Sequence, residues 1–240
     1  QGIPIKEINR GSIFCSCLQL SFVEALAELA KSDAESLFVE SSGLADPSNI
    51  MDILESVKVL AEDVYDFQGV ICLIDGVHFP KQVKDTETVD RQLKHCDVAI
   101  INKIDLISEE QYKNVFSLVR EVNPHCQVLS CAHGQADLSF MKEAFLQGDW
   151  AFSEESLNTV DNKPKTISLL CSENVEKGRF QQFLQAVLPE CYRIKGFFLL
   201  DRSWMQVDVV EELIDYKPCP EREISELVFL SKVGPKVIRS

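Results

Sequence analysis

Short apolar runs alternate with amphipathic helical patterns along the amino-terminal part of the chain. Neighbouring parallel strands need a long crossover connection, usually a helix, whereas antiparallel strands can be joined by a tight turn. The alternation therefore predicts an α/β fold with a mainly parallel sheet and crossover helices. The predicted strands are 37–39, 70–74, 98–101 and 127–129, and the predicted helices are 22–30, 47–58, 87–95 and 109–121.

The periodic pattern fades after Leu146 and gives way to the polar stretch 153–164. Such a change of composition is typical of a domain boundary. We predict a first domain at 1–150, a linker at 151–164 and a small α+β carboxyl-terminal domain at 165–240. Within the last, the predicted order is a strand at 166–171, a helix at 179–187, paired strands at 192–200 and 204–210, a weak helix, and a final strand at 227–230.

The tetrapeptide Asn-Lys-Ile-Asp directly follows the predicted strand 98–101. The Asp105 carboxylate can accept hydrogen bonds from both the ring N–H and the exocyclic amine of guanine, a pairing that adenine cannot make. Asn102 can brace the loop or meet the far edge of the purine, and the stem of Lys103 can lie over the base. An alternative role for Asp105 is to cap the helix that follows.

Acidic residues end two more of the predicted strands. Glu40 follows 37–39 and Asp75 follows 70–74, and strand ends of this kind lie on the ligand-binding edge of a parallel sheet. Glu40 is then placed to hold a water of bound Mg²⁺ or to polarise an attacking water, and Gly43 allows the backbone to approach a terminal phosphate. The alternative is a polar turn that caps a helix beginning near Pro47.

These segments, in this order, resemble the CobW group of P-loop GTPases, relatives of the UreG and HypB metallochaperones. Residues 40–47 are similar to the switch element of that family and 102–106 to its guanine-specificity loop. Ser130 and Cys131 resemble the last guanine-contacting loop, where a backbone N–H meets the purine oxygen. The resemblance implies a P-loop-NTPase-like domain at 1–150 and a CobW carboxyl-terminal-like domain at 165–240. Three shorter segments, 92–97, 123–126 and 193–197, also resemble sequences of this family.

One departure from the family concerns the phosphates, because no G-x-x-x-x-G-K-[ST] loop occurs in the 240 residues. Without that loop a nucleotide site lacks the amide cradle for the phosphates, the neutralising lysine and the hydroxyl that binds Mg²⁺. The chain also begins with Gln1. We therefore expect an amino-terminally truncated or incompletely represented GTPase that does not bind nucleotide tightly, with a natural loss of the loop as the alternative.

A second departure concerns metal, because the family usually carries a Cys-x-Cys-Cys motif where this chain has Cys15 and Cys17. Two thiolates at this spacing can supply half of a tetrahedral Zn²⁺ site. The alternative is that the two cysteines are small, semi-buried residues at the start of the following helix. We predict metal binding by Cys15 and Cys17.

Composition excludes several classes of partner. The formal net charge of −14 argues against nucleic acid and anionic membranes, because both are themselves negative. Nothing resembles a signal peptide or a membrane span, and the nine cysteines are scattered without a secretory framework. We therefore expect a cytoplasmic protein with neither nucleic acid nor membrane as a partner.

The resemblance implies that the intact protein is a GTP-hydrolysing metallochaperone or metal insertase of the CobW (cobalamin-synthesis-protein-like) type. It implies GTP and Mg²⁺ as ligands, Zn²⁺ or another divalent transition metal as cargo, and a client metalloprotein as partner, with a homo-oligomer left open. The alternative is a degenerate, non-enzymatic metal-binding or protein-docking module. The implied residues are Glu40 and Gly43 for catalysis, Asn102, Lys103, Asp105, Ser130 and Cys131 for the nucleotide, and Cys15 and Cys17 for the metal.

Overall fold

A computed structural model describes residues 5–8, 13–14, 18–61, 65–142, 165–210 and 213–238 of the chain. The chain divides into two compact units, Gln1–Asn162 and Lys163–Ser240. The predicted linker at 151–164 lies outside the described residues.

The first unit contains a parallel sheet of the order β1-β2-β3, and its parallel pairing with helices between the strands confirms the predicted α/β class. Asp75 lies opposite Asn102 in the register of β1 and β2, and Ile101 lies opposite Ser130 in that of β2 and β3. The strands are β1 (Ile71–Asp75), β2 (Val98–Asn102) and β3 (Gln127–Ser130), and the helices are α1 (Gln19–Leu29), α2 (Ile50–Leu60), α3 (Phe79–Asp85), α4 (Glu87–Lys94) and α5 (Glu109–Val122).

The strand β2 is buried on both faces, which explains its uninterrupted apolar sequence. One face packs against the helices through Ala99 and Ile101, which meet Val115 and Val119 of α5. The opposite face packs through Val98 and Ile100 against a cluster that includes Phe140. The helices α1 and α2 form a separate apolar cluster, which includes Phe22, Leu26, Ile53 and Val57.

The predicted strand at 37–39 is wrong. These residues have no regular secondary structure, and Leu37, Phe38 and Val39 remain 37%, 70% and 46% exposed. An apolar run becomes a strand only where a neighbouring strand takes up its backbone hydrogen bonds. Within the described residues β1 pairs with β2 alone, so the run at 37–39 has no strand partner there.

The second unit is an antiparallel sheet of the order β4-β8-β5-β6-β7 with one helix packed on it, which agrees with the predicted α+β unit. The weak helix predicted before the last strand is wrong, because that region contains a strand whose Ile214 and Tyr216 pack against the core. The elements are β4 (Lys165–Cys171), α6 (Lys177–Val187), β5 (Cys191–Leu200), β6 (Ser203–Val210), β7 (Leu213–Pro218) and β8 (Ser225–Ser231).

The start of α5 carries a capping box. The hydroxyl of Ser108 accepts from the N–H of Gln111 at 3.2 Å, and the Gln111 side chain accepts from the N–H of Ser108 at 2.8 Å. We expect Ser108→Ala to lower the free energy of unfolding by about 1 kcal/mol, because one helix N–H loses its partner. Chemical denaturation measures the change. Ser117→Ala on the exposed side of the same helix is the control, and an equal loss there would contradict the capping explanation.

Candidate functional site

The carboxyl ends of the three parallel strands bring Asp75, Asn102 and Ser130 to one edge of the sheet. Ligands of open α/β sheets bind at this edge because the loops that follow the strands converge there. The loop after β2 contains Lys103 and Asp105, so the predicted guanine-reading residues lie at the expected place in the fold.

Asn102 braces two loops against each other. Its side-chain oxygen accepts a hydrogen bond from the N–H of Gly134 at 3.0 Å and from the thiol of Cys131 at 3.4 Å. The N–H of Ile104 also donates to the carbonyl of Cys131, at 3.3 Å. Asn102 was expected either to brace the loop or to meet the far edge of the purine. In the structure it braces the loop.

Lys103 is anchored to the neighbouring strand. It adopts the left-handed conformation, with φ 62° and ψ 31°, and its ammonium lies 2.7 Å from the Asp75 carboxylate. The same carboxylate oxygen lies 3.0 Å from the Nδ1 of His78. Partial burial by itself raises the pKa of Asp75, but hydrogen bonds from Lys103, His78 and the Val77 N–H outweigh it, so the pKa lies below its usual range. The sequence did not reveal the ion pair between Asp75 and Lys103; the signal would have been the alignment of the two strand ends.

Asp105 lies in the short 3₁₀ turn Ile104–Leu106, and its side chain is 32% exposed. Its Oδ2 atom is 3.6 Å from the Nε2 of His133. The alternative role of Asp105 as a helix cap does not occur, because Ser108 caps α5. The carboxylate therefore remains accessible to a ligand at the edge of the sheet.

Ser130 and Cys131 follow the third strand at the same edge. Ser130 is exposed, and Cys131 is buried. The N–H of Cys131 donates to the carbonyl of Ile101 at 2.8 Å. This N–H therefore attaches the loop to the sheet, and a purine would have to compete with Ile101 for it.

Glu40 and Gly43 belong to an irregular, exposed segment. Within the described part of the chain, Glu40 has no hydrogen bond or ion pair with the loop at 102–105. A Cβ atom added at Gly43 would have no heavy atom within 4 Å, so the backbone there is open to approach. Carboxylate oxygen is a suitable ligand for Mg²⁺ or its bound water, and the exposure of Glu40 is compatible with that use.

Helix α4 holds the end of this segment. The Arg91 guanidinium lies 2.9 Å from the fully buried Asp46 carboxylate and donates to the Ser48 hydroxyl at 2.8 Å. The Gln92 amide donates to the carbonyls of Gly43 and Ala45, at 3.2 and 2.6 Å. These contacts were not predicted from the sequence, although Gln92 is the first residue of the segment 92–97 that carried the family resemblance and Arg91 immediately precedes it.

The predicted metal ligands Cys15 and Cys17 lie outside the described residues. Among the residues that are described, no group of three or more histidine, cysteine, aspartate or glutamate side chains is arranged to hold a metal ion. The described helices also include none that is long and apolar enough to cross a membrane.

The chain matches two family models. The first is described as the CobW/HypB/UreG nucleotide-binding domain and matches residues 1–130. The second is described as the cobalamin synthesis protein cobW carboxyl-terminal domain and matches residues 165–238. Together the two models extend over both compact units.

Two curated proteins are similar to the chain. The zinc chaperone YjiA of Escherichia coli (strain K12) is 28% identical over 166 residues, which cover 67% of this chain and 49% of YjiA. The zinc-regulated GTPase metalloprotein activator 1 of Schizosaccharomyces pombe is 24% identical over 270 residues, which cover 93% of this chain and 65% of that protein. The chain thus spans between about half and two thirds of the length of these relatives.

Two solved structures also resemble the chain. The Zn(II)-bound YjiA GTPase from E. coli is 21% identical, with a TM-score of 0.38 over 81% of this chain and 65% of that one. A Zn(II)-bound triple mutant of the same GTPase is 21% identical, with a TM-score of 0.45 over 89% and 72%.

Proposed function

The chain belongs to the CobW/HypB/UreG family of nucleotide-binding proteins, and on that premise we propose that it supplies the guanine-reading part of a GTP-hydrolysing zinc chaperone. The observation that carries this proposal is the loop after β2. There Lys103 is fixed by Asp75, Asn102 is fixed to the loop at 131–134, and the Asp105 carboxylate stays partly exposed beside them.

Each of these residues has a distinct part in recognition. Asp105 accepts two hydrogen bonds from guanine, and the partly shielded position of its carboxylate strengthens that pairing relative to bulk water. Lys103 presents its stem as a surface for the purine while its ammonium stays on Asp75. Asn102 keeps the two loops at a fixed separation, so that the base meets a preorganised site.

The phosphate end of the nucleotide would lie toward Glu40 and Gly43. Glu40 would hold a water of Mg²⁺, which supplies positive charge for the phosphates when it is bound. Gly43 would let the backbone approach the terminal phosphate, because a Cβ atom added there meets nothing within 4 Å. Helix α4 would keep this segment in place through Arg91 and Gln92.

Zinc is the proposed cargo. Two relatives are named as a zinc chaperone and as a zinc-regulated GTPase metalloprotein activator. Cys15 and Cys17 would supply two thiolate ligands, which is the donor chemistry that Zn²⁺ prefers. A client metalloprotein would then receive the metal.

Titration calorimetry with Mg²⁺ tests the nucleotide part of this proposal. We expect a version of the protein that carries a phosphate-binding loop upstream of Gln1 to bind GTP at least about 100-fold more tightly than ATP, because adenine cannot satisfy Asp105. We expect this 240-residue chain to bind both weakly. Lack of binding by either version would contradict the GTPase proposal and favour a metal-binding or docking module.

Substitution of Asp105 separates base recognition from general nucleotide affinity. Asp105→Asn in the version that carries the phosphate-binding loop should lose most of the preference for GTP over ATP, because an amide offers guanine one acceptor and one mismatched donor. Asp215→Asn, at an exposed position of β7 in the second unit, is the matched control and should leave the preference unchanged. Equal preference in Asp105→Asn and the unaltered protein would contradict the role of Asp105.

A further inference from the structure

Three cysteines lie together in the helix-side core of the first unit, toward the opposite end of the strands from the candidate nucleotide site. Cys72 is the second residue of β1, Cys96 precedes β2, and Cys126 immediately precedes β3. All three belong to the same apolar cluster, and all three are free thiols. None of them takes part in the proposed nucleotide or zinc chemistry.

Asn123 connects the backbones around Cys96 and Cys126. Its amide nitrogen donates to the carbonyls of Leu93 and Cys96, both at 2.9 Å, and its amide oxygen accepts from the N–H of Cys126 at 2.9 Å. The same residue contacts both sulfurs: its amide nitrogen is 4.0 Å from the Cys96 Sγ, and its carbonyl accepts from the Cys126 thiol at 3.5 Å.

This arrangement is compatible with a disulfide. The N–H of Gln127 donates to the carbonyl of Asp97 at 2.8 Å, so the residues next to each cysteine are already paired across the sheet. The register that pairs Val98 with Gln127 places Cys126 opposite Asp97, so Cys96 is offset from it by one residue. Neighbouring strands lie about 4.8 Å apart and a strand rises about 3.3 Å per residue, so this offset corresponds to a Cα to Cα separation of about 6 Å. That separation falls within the range of about 4.4–6.8 Å that disulfides require.

The surroundings also favour the reactive form of Cys126. A hydrogen bond from the Cys96 thiol lowers the pKa of Cys126 to about 7. The charge of Arg120 also lowers this pKa, whereas burial and the charge of Asp97 raise it. Arg120 is held there by hydrogen bonds to the carbonyls of Cys126 and Pro124, at 2.6 and 3.2 Å. The pKa of Cys96 is raised by its contacts with Cys126 and Cys72 and by burial, so Cys96 keeps its proton and donates it.

We propose that Cys96 and Cys126 form a redox-active dithiol that hydrogen peroxide converts into an intramolecular disulfide. The Cys126 thiolate attacks one peroxide oxygen, the O–O bond breaks, and protonation of the departing hydroxide gives the first water and a sulfenic acid. Cys96 then attacks that sulfur, its thiol proton passes to the departing hydroxyl as the S–O bond breaks, and a second water leaves as the S–S bond forms. Two thiols thereby lose two electrons, and one peroxide becomes two waters.

Burial makes the site selective for its oxidant. Cys96 is 5% exposed and Cys126 is 3% exposed. Hydrogen peroxide, which is about as small as water, therefore reaches the two thiols more readily than a bulky disulfide oxidant does. The bond would fix the end of α4, the helix that carries Arg91 and Gln92, to the start of β3. Reduction by dithiothreitol would restore the two thiols.

Peptide mapping of the whole chain after oxidation tests the proposal. We expect a few equivalents of hydrogen peroxide to remove two of the nine thiols and to yield one linked pair of peptides that contain Cys96 and Cys126. Dithiothreitol should reverse the link. Absence of this link in the folded chain, or prior formation of a link between Cys72 and Cys96, would overturn the proposal. Mapping by peptide also separates this pair from Cys15 and Cys17.

Variants distinguish the two sulfurs. Cys126→Ser should abolish the link, whereas Cys96→Ser should leave a sulfenic acid on Cys126 that dimedone traps. Cys191→Ser, at a buried thiol of the second unit, is the matched control and should retain the link. Trapping on Cys96 in place of Cys126 would overturn the assigned order of attack.

The rate of oxidation of the unaltered chain is a test that needs no variant. The rate should rise through a midpoint near pH 7, the value to which the pKa of Cys126 is lowered. A rate that rises only around pH 8.5, as for an ordinary thiol, would overturn the proposal. Because this test monitors a disulfide and not nucleotide binding, its failure is independent of the proposed GTPase function.

Discussion

Gly196→Ala should destabilise the second unit by about 3 kcal/mol or more, the upper end of the usual cost of overpacking. Gly196 lies in β5, opposite Leu227 of β8 and Val207 of β6. A Cβ atom at Gly196 would lie 1.9 Å from the carbonyl oxygen of Glu226 and 2.9 Å from the Cα of Leu227. Both contacts are to backbone, which cannot rotate away as a side chain can. The central strands would therefore have to separate.

Thermal unfolding monitored by circular dichroism measures this effect. A loss of about 3 kcal/mol in a unit of this size corresponds to a fall in the unfolding temperature of more than about 10 °C. Gly178→Ala in α6 is the matched control, because its nearest neighbour is the flexible carboxylate of Glu176 at 3.5 Å. It should be neutral or slightly stabilising, as alanine favours helix. An unchanged unfolding temperature for Gly196→Ala would contradict the close approach of β5 and β8.

The strand β2 and the helix α5 could be predicted from the sequence because their signals are local. The uninterrupted apolar run at 98–101 requires burial on both faces, and β2 is buried on both. Ser108 and Gln111 have the spacing of a capping box, and they form one. Local patterns of this kind do not depend on the register of distant segments.

The run at 37–39 could not be assigned by the same reasoning. Its apolar sequence resembles that of β1, but strand formation depends on a neighbour that pairs with it, and that information is not local. The reverse error occurred at β7, where a weak helix was predicted although Ile214 and Tyr216 alternate toward the core. Tertiary pairing determined the outcome in both places.

In the candidate site, too, local sequence predicts some features, whereas others depend on how distant segments pair. The position of Asn102, Lys103 and Asp105 at a strand end followed from the sequence. The anchoring of Lys103 by Asp75 did not, because it requires the parallel register that places Asp75 opposite Asn102. The pairing of Arg91 with Asp46 connects residues 45 positions apart, and no spacing rule predicts it.

Arg91→Met should destabilise the first unit by about 3–5 kcal/mol, because it removes the guanidinium that neutralises a buried carboxylate. The Asp46 side chain is fully buried, and the Arg91 Nε lies 2.9 Å from it. Chemical denaturation measures the loss. The double variant Arg91→Met/Asp46→Asn should recover much of it, since the uncompensated charge is then gone.

A matched surface pair separates burial from charge in this test. Lys113 lies 2.6 Å from Glu109 on α5, where the two side chains are 71% and 82% exposed. Lys113→Met should change stability by no more than about 0.5 kcal/mol, because water screens an exposed pair. Amide exchange should also quicken from Gly43 to Ser48 in Arg91→Met and not in Lys113→Met, because Arg91 attaches that segment to α4. Equal protection of the segment in both variants would mean that the contacts of Gln92 hold it without Arg91.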